Sequence, residues 1–309
     1  MRYRRTMGKK GLALVLAVTV VALLSILVVD FMGRAWVEAA VAAGYRDETL
    51  ALYAARSGQE AAKLLIMEEA KNSAAFAAKK DDFTGGGIPL PIGDDYAFFN
   101  ITDESGKIDL NQMVTGRGYA NDRWIEVFRR LLTRAELDPN LANAAVDWLD
   151  ADSELRPDGA ETDYYAGLPI PYKAKNAKFD SVDELALVKG FEPKALAKIR
   201  DHVTVWSSGR VNINTATPLA IMALDDAITD GMVKDLLKAR KEAPFAAPND
   251  VSKVPGFPEV FPRIALLISV SSDYYSVSSN AMFNETSKTI VAVYQRNMSG
   301  VKTLYYKNI

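Results

Sequence analysis

The sequence predicts an α+β fold: a long N-terminal helix packed on a small antiparallel sheet, with a large all-α domain inserted between the strands. Three observations predict it. No proline occurs before Pro89, and residues 34–80 are rich in Ala, Leu, Glu and Lys, which are strong helix formers. Segments rich in aromatic and β-branched residues flank residues 112–265 on both sides, as strands do. The stretch between them reads as amphipathic helices.

The first element is apolar. Leu12 to Val29 carry no charge, and only Thr19 and Ser25 are polar. As a helix these residues reach about 27 Å, close to the roughly 30 Å of a bilayer's hydrocarbon core. Arg2, Arg4, Arg5, Lys9 and Lys10 precede them without an acid. The remaining 32 basic and 39 acidic side chains leave residues 12–309 at −7, which the whole-chain charge of −2 conceals. The basic flank predicts a cytoplasmic N-terminus and an exported remainder. A buried core helix would leave the basic flank unexplained. A cleaved secretory signal would use Ala39, Ala40, Ala42 or Ala43, but the apolar run exceeds the usual 7–15 residues. The third reading is a membrane anchor whose leader, residues 1–11, is cut at Lys10-Gly11-Leu12, where Gly11 has no side chain to hinder a peptidase.

The helix is expected to continue to residue 80. Leu52, Ala55, Gln59, Ala62, Leu65 and Ile66 form a stripe for packing on a globular domain, and Gly33, Gly44 and Gly58 are places where it can bend. Asp82 to Asp95, with Gly85-Gly86-Gly87, Pro89 and Pro91, ends it. Tyr96–Asp103 and Lys107–Asn111 read as strands around a Ser105-Gly106 turn. Helices follow at Trp124–Leu132 and Leu141–Leu149. Strands return at Ile268–Val277, Thr289–Arg296 and Val301–Lys307. The expected division is therefore 12–29 in the membrane, 30–80 as exported helix, 81–111 with 266–309 as sheet, and 112–265 as the insert.

Two segments of the insert repeat each other 66 residues apart. Phe179, Asp183-Glu184-Leu185 and Val188-Lys189-Gly190-Phe191 recur as Phe245, Asn249-Asp250-Val251 and Val254-Pro255-Gly256-Phe257. A repeat implies two copies of one supersecondary unit. Gly190 and Gly256, before helices, resemble the turns of helix-hairpin-helix units, and Asn214 or Thr215 is placed to cap the helix from Pro218.

Composition excludes much chemistry. Without Cys there are no disulfides, Cys-ligated metals or thiol nucleophiles, and a single His202 rules out poly-His metal sites. Neither G-x-S-x-G nor a P-loop occurs. The suggestive constellation is acidic. Asp147, Asp150, Asp152, Glu154, Asp158, Glu161 and Asp163 are offset only by Arg156. Such carboxylates repel unless solvated or bridged by a cation, and Ca²⁺ takes 6–8 oxygens from loops of this kind, although the spacing is not that of an EF-hand. Helix-hairpin-helix units also suggest DNA-backbone binding, but a net acidic exported portion opposes a phosphate polymer.

In order along the chain, Gly106-Lys107-Ile-x-Leu-Asn111, Asp147-Trp-Leu-Asp-x-Asp152, Gly159-Ala-Glu161 with Tyr164-Tyr165, Asn176-x-x-Phe179, Glu184-Leu185, Val188-x-Gly190 and Val211-Asn-Ile-Asn-Thr-Ala216 resemble the type II secretion minor pseudopilins of the general secretion pathway protein K family. The resemblance spans essentially the whole chain. It implies a pilin-like fold, and cleavage after Gly11 by prepilin peptidase with methylation of Leu12. It implies an inner-membrane anchor and a periplasmic body. Pilin-like proteins carry Glu where this chain has Leu16. That Glu pairs within the membrane with the amine of a neighbouring subunit, and an intramembrane carboxylate is costly without its partner. Leu16 accordingly implies a subunit that enters first, at the pseudopilus tip, with minor pseudopilins I and J, in support of exoprotein export. The resemblance also implies calcium in the insert, with Asp150, Asp152, Glu161 and Asp163 in the matching motif. It implies no catalysis.

Overall fold

The computed structural model describes residues 7–69, 87–93 and 95–309. Helix α1 runs unbroken over Met7–Glu69; the expected helix at 70–80 and most of the leader lie outside the described residues. Gly33 and Gly44 do not interrupt it. Residues 11–46 are exposed throughout, so the apolar segment is nowhere buried, which removes the core-helix reading. Farther along, Ala51, Ala54, Ala55, Gln59, Ala62 and Ile66 are buried against a sheet. The stripe is made mostly of small residues, and Gly58 is part of it. A Cβ there would stand 2.1 Å from Ser279 Oγ, so Gly58 serves close approach.

The sheet holds five antiparallel strands, in spatial order β1 (Ile88–Ile92), β2 (Asp95–Asp103), β7 (Tyr274–Phe283), β8 (Thr286–Asn297) and β9 (Gly300–Asn308). Strands β1 (Ile88–Ile92) and β2 (Asp95–Asp103) form a hairpin that the sequence reading missed, because it took Pro89 and Pro91 only as breakers. As β1 is an edge strand, the missing proline N–H groups do little harm there and discourage further pairing. The two sides of the insert are joined by β2 and β7 (Tyr274–Phe283), which pair along their length. Strands β8 (Thr286–Asn297) and β9 (Gly300–Asn308) complete the sheet.

Between β2 and β7 lies the insert, with its own large core. Its edges differ from expectation. Ile108–Asp109 (β3) does not join the main sheet but pairs in parallel with Val203–Thr204 (β4). Val211–Asn212 (β5) likewise pairs in parallel with Ile268–Ser269 (β6), so the expected strand Ile268–Val277 is split.

These two small pairs bound two equivalent units. The first runs from β3 through α2 (Asp122–Arg134), α3 (Leu141–Leu149), α4 (Thr162–Ala166) and α5 (Pro193–Ile199) to β4. The second runs from β5 through α6 (Pro218–Ala223), α7 (Asp230–Glu242) and α8 (Phe257–Ile264) to β6. The same hydrogen bonds recur in each. Asn111 grips the N–H and C=O of Phe179 and the carbonyl of Val205; Asn214 grips the N–H and C=O of Phe245 and the carbonyl of Val270. Glu184 accepts from the Ser181 N–H, and Asp250 from the Ala247 N–H. Helices α2 and α6 pack together between the units.

The turns at Gly190 and Gly256 are equivalent too, with φ of 84° and 83°. Each follows one 3-10 segment, Val182–Leu187 or Pro248–Lys253. A single 3-10 segment therefore stands where the hairpin reading expected a helix. Thr217, rather than Asn214 or Thr215, caps α6 by accepting from the Ala220 N–H. Its hydroxyl also meets His202 Nδ1 at 2.8 Å, so the lone histidine has a packing partner.

Candidate functional site

The units differ in one place. In the second, α7 reaches Phe245 after two residues; in the first, the chain leaves α3 at Leu149 and reaches Phe179 only after an excursion through residues 150–178. That excursion contains the acidic cluster.

Asp150, Asp152 and Glu161 each bring one carboxylate oxygen into a group lying within 4.8 Å of one another. Asp150 follows the last residue of α3, and Glu161 precedes the first of α4. The position of Asp150 is unfavourable for an anion, because the last turn of a helix carries partial negative charge. Asp147, one turn earlier, is fully buried and close enough to raise the pKa of Glu161 by its charge. Asp163 is exposed and does not belong to the group of three.

Arg156 is the local counter-charge. Its Nη2 donates to Asp150 Oδ2 at 3.2 Å, its Nε stands 3.4 Å from Asp147 Oδ1, and its N–H donates to Asp147 Oδ2 at 3.3 Å. Gly159 lets the returning backbone lie on Asp147, since a Cβ there would be 2.0 Å from Oδ2. Lys189, in the first glycine turn, donates through Nζ to the Gly159 carbonyl at 3.0 Å, and its N–H donates to Tyr165 Oη at 3.3 Å.

One arginine does not satisfy this cluster. Burial pushes the Asp147 pKa up to about 6. Burial and then the charges of Asp147 and Asp150 push Glu161 up to about 7. Asp150 is also raised, first by burial and then by Asp152. Seven buried side-chain polar atoms among the described residues lack a hydrogen-bond partner, and six fall between residues 147 and 176. Among these are Asp150 Oδ1, Glu161 Oε1 and Asn176 Oδ1. Bare buried acceptors normally cost ~1–3 kcal/mol each, and four of these six atoms are oxygens. All-oxygen donors fit a hard cation such as Ca²⁺.

Comparison with known proteins follows the same boundaries. Two family models described as "Type II secretion system (T2SS), protein K" match residues 106–208 and 211–271, the two units of the insert and together more than half the chain. The chain belongs to the type II secretion system protein K family. Protein K of Aeromonas hydrophila is 23% identical over 313 residues, covering 93% of this chain and 92% of its own length. Protein K of Pectobacterium carotovorum subsp. carotovorum is 30% identical, covering 53% and 52%. Among solved structures, the GspK-GspI-GspJ complex from the enterotoxigenic Escherichia coli type 2 secretion system contains a chain of the same fold. The TM-score is 0.62 at 17% identity, over 82% of this chain and 98% of that one. The exposed apolar part of α1, from Gly11 onward, is a candidate membrane anchor. Leu12 and Leu16 lie on it, exposed, and no side chain crowds Gly11.

Proposed function

We propose that this protein is a minor pseudopilin at the tip of the type II secretion pseudopilus. It starts assembly with I- and J-type minor pseudopilins and supports export of folded proteins across the outer membrane. Its role is assembly, not catalysis. The observation that carries this is the form of the N-terminal helix: a free apolar segment with Leu16 where an assembling pilin places Glu. The insert adds to it, since 170 residues between β2 and β7 enlarge the head far beyond a five-stranded sheet. In this reading prepilin peptidase cuts after Gly11, Leu12 is methylated, and the body lies in the periplasm. Mass spectrometry of the mature protein should find methylated Leu12 at its N-terminus; another start refutes processing. The part from residue 33 should form a ternary complex with the cognate I and J subunits in size-exclusion chromatography. If it stays monomeric, the tip reading fails.

Calcium bound by Asp150, Asp152 and Glu161 would act as a staple, holding the excursion to the ends of α3 and α4 in a protein without disulfides. E161Q should abolish the rise in Tm that calcium produces, while D163N should leave it. The reverse order would move the site toward Asp163. An envelope DNA-binding role loses support at the first glycine turn, where the Lys189 N–H and Nζ both point inward to Tyr165 and the acidic loop rather than outward to a phosphate.

A further inference from the structure

We propose that the face of the sheet turned away from α1 binds a neutral glycan strand of the cell wall. The proposal goes beyond the assembly reading and rests on it only for a body that lies in the periplasm, where such strands are met.

Strand register defines the face. Pro91 lies beside Tyr96, Pro89 beside Phe98, Phe98 beside Asn280 and Asn280 beside Thr289. The same parity runs on through Met282 with Ser287 and Ser278 with Val291 to Tyr274 with Gln295. Among the described residues, no side chain on this face of β1, β2, β7 and β8 is charged, in a chain that is 25% charged. The charged residues within these strands and their pairings, Asp95, Asp103, Lys288 and Arg296, all have the opposite parity, that of the α1 side. A face selected only to meet water carries charge as a matter of course.

Two aromatic side chains stand in the open on this surface. Tyr96 is 55% and Phe98 41% exposed, and their ring centroids lie 6.4 Å apart with the planes tilted by 33°. Exposed Pro89 and Pro91 flank them on the edge strand, where they also discourage a further strand from pairing. On the other side lies a row of fixed hydrogen-bonding groups. Asn280 Nδ2 donates to Ser287 Oγ at 2.9 Å and to Thr289 Oγ1 at 2.8 Å. Each hydroxyl accepts there and keeps its own proton to donate, and the Asn280 amide also carries an acceptor oxygen. A sugar ring asks for these two things together: an aromatic surface under its C–H face, and groups that both give and take hydrogen bonds from its hydroxyls. A neutral glycan also has no charge that a surface without charged groups would leave unpaired. A protein partner fits less well. Protein interfaces are depleted of serine and enriched in arginine, whereas this face carries Ser276, Ser278 and Ser287 and no basic group on these four strands.

The test is sedimentation with cell-wall sacculi. Full-length protein, in micelles of a detergent without a sugar headgroup, should pellet with purified sacculi, and the soluble hexamer of N-acetylglucosamine should release it. Y96S/F98S should weaken binding at least about tenfold at unchanged Tm. L266S, which removes an exposed leucine of the insert, should bind as wild type does. Sedimentation that persists in Y96S/F98S, or that the hexamer does not reverse, overturns the proposal. So does a double variant that still sediments but no longer joins the I and J subunits, a result that makes the face a protein interface. Wild-type protein that joins I and J but does not sediment overturns the glycan assignment and leaves the assembly reading standing.

Discussion

Asp147 and Glu161 hold their protons more tightly in the fold than an unfolded chain would, because burial and mutual repulsion penalise the charged forms. An acid whose folded pKa is raised costs stability as pH climbs from its unfolded value, near 4, through its folded one, here about 6 to 7. In chelator the Tm should therefore fall between about pH 4 and about pH 7, and E161Q should flatten the fall. Calcium competes with those protons, so its stabilisation should grow over the same interval. A Tm in chelator that rises across it would contradict this. The acids themselves were legible in the sequence as a crowd of like charges. Which of them face one another was not: Asp163 lies two residues from Glu161, yet α4 begins between them and Asp163 stays exposed.

At the scale of elements, a buried polar residue on its small-residue face ties α1 to the sheet. Gln59 Nε2 donates to the carbonyls of Val277 and Ile290, at 3.2 and 2.8 Å, and Gln59 Oε1 accepts from Tyr294 Oη at 2.8 Å. Q59L should cost about 2–4 kcal/mol in denaturant unfolding, because it leaves the buried Tyr294 hydroxyl without its acceptor as well as removing the bonds to both strands. A loss under about 0.5 kcal/mol would show that the Gln59 hydrogen bonds do not hold the helix to the sheet. The glycine turns make a second prediction. At Gly190 a side chain meets a φ of 84° and a Leu141 Cδ2 only 2.3 Å from the new Cβ. G190A should destabilise the protein by about 2 kcal/mol, measured in the same way, whereas G44A, on an open helix face, should cost nothing. The 66-residue repeat was visible through these glycines. Its true unit is larger, because the equivalence of Ile108-Asp-Leu-Asn111 with Val211-Asn-Ile-Asn214 depends on two asparagines gripping distant phenylalanines. The spacing of the two tetrapeptides exceeds 66, most of the excess being the acidic excursion of the first unit.

Across the whole molecule, the insert is tied to the sheet at the two strands that carry it. Asp103 Oδ2, at the end of β2, accepts from Thr215 and Ser272, and Oδ1 accepts from the Ser105 N–H at 2.8 Å. Arg296 of β8 donates to the Ser272 carbonyl and reaches the Ile66 carbonyl near the end of α1. Helix, sheet and insert thus meet at the loop before β7. D103A should separate thermal unfolding into two transitions, one for the sheet with α1 and one for the insert. A single unshifted transition would mean that the two cores are coupled elsewhere. What the sequence determined by itself was everything that depends on local pattern and order: the apolar helix, the basic charge ahead of it, the strands on either side of a helical block, the family, and the acidic loop. Only the tertiary structure decided the partners. It moved β3 and β6 out of the main sheet, made an edge strand of a proline-rich segment, doubled the insert, and brought three of the acids together. The physical reason is that helix and strand periodicity is written in neighbours, whereas strand pairing and the sharing of buried charge are settled between residues that only folding brings together.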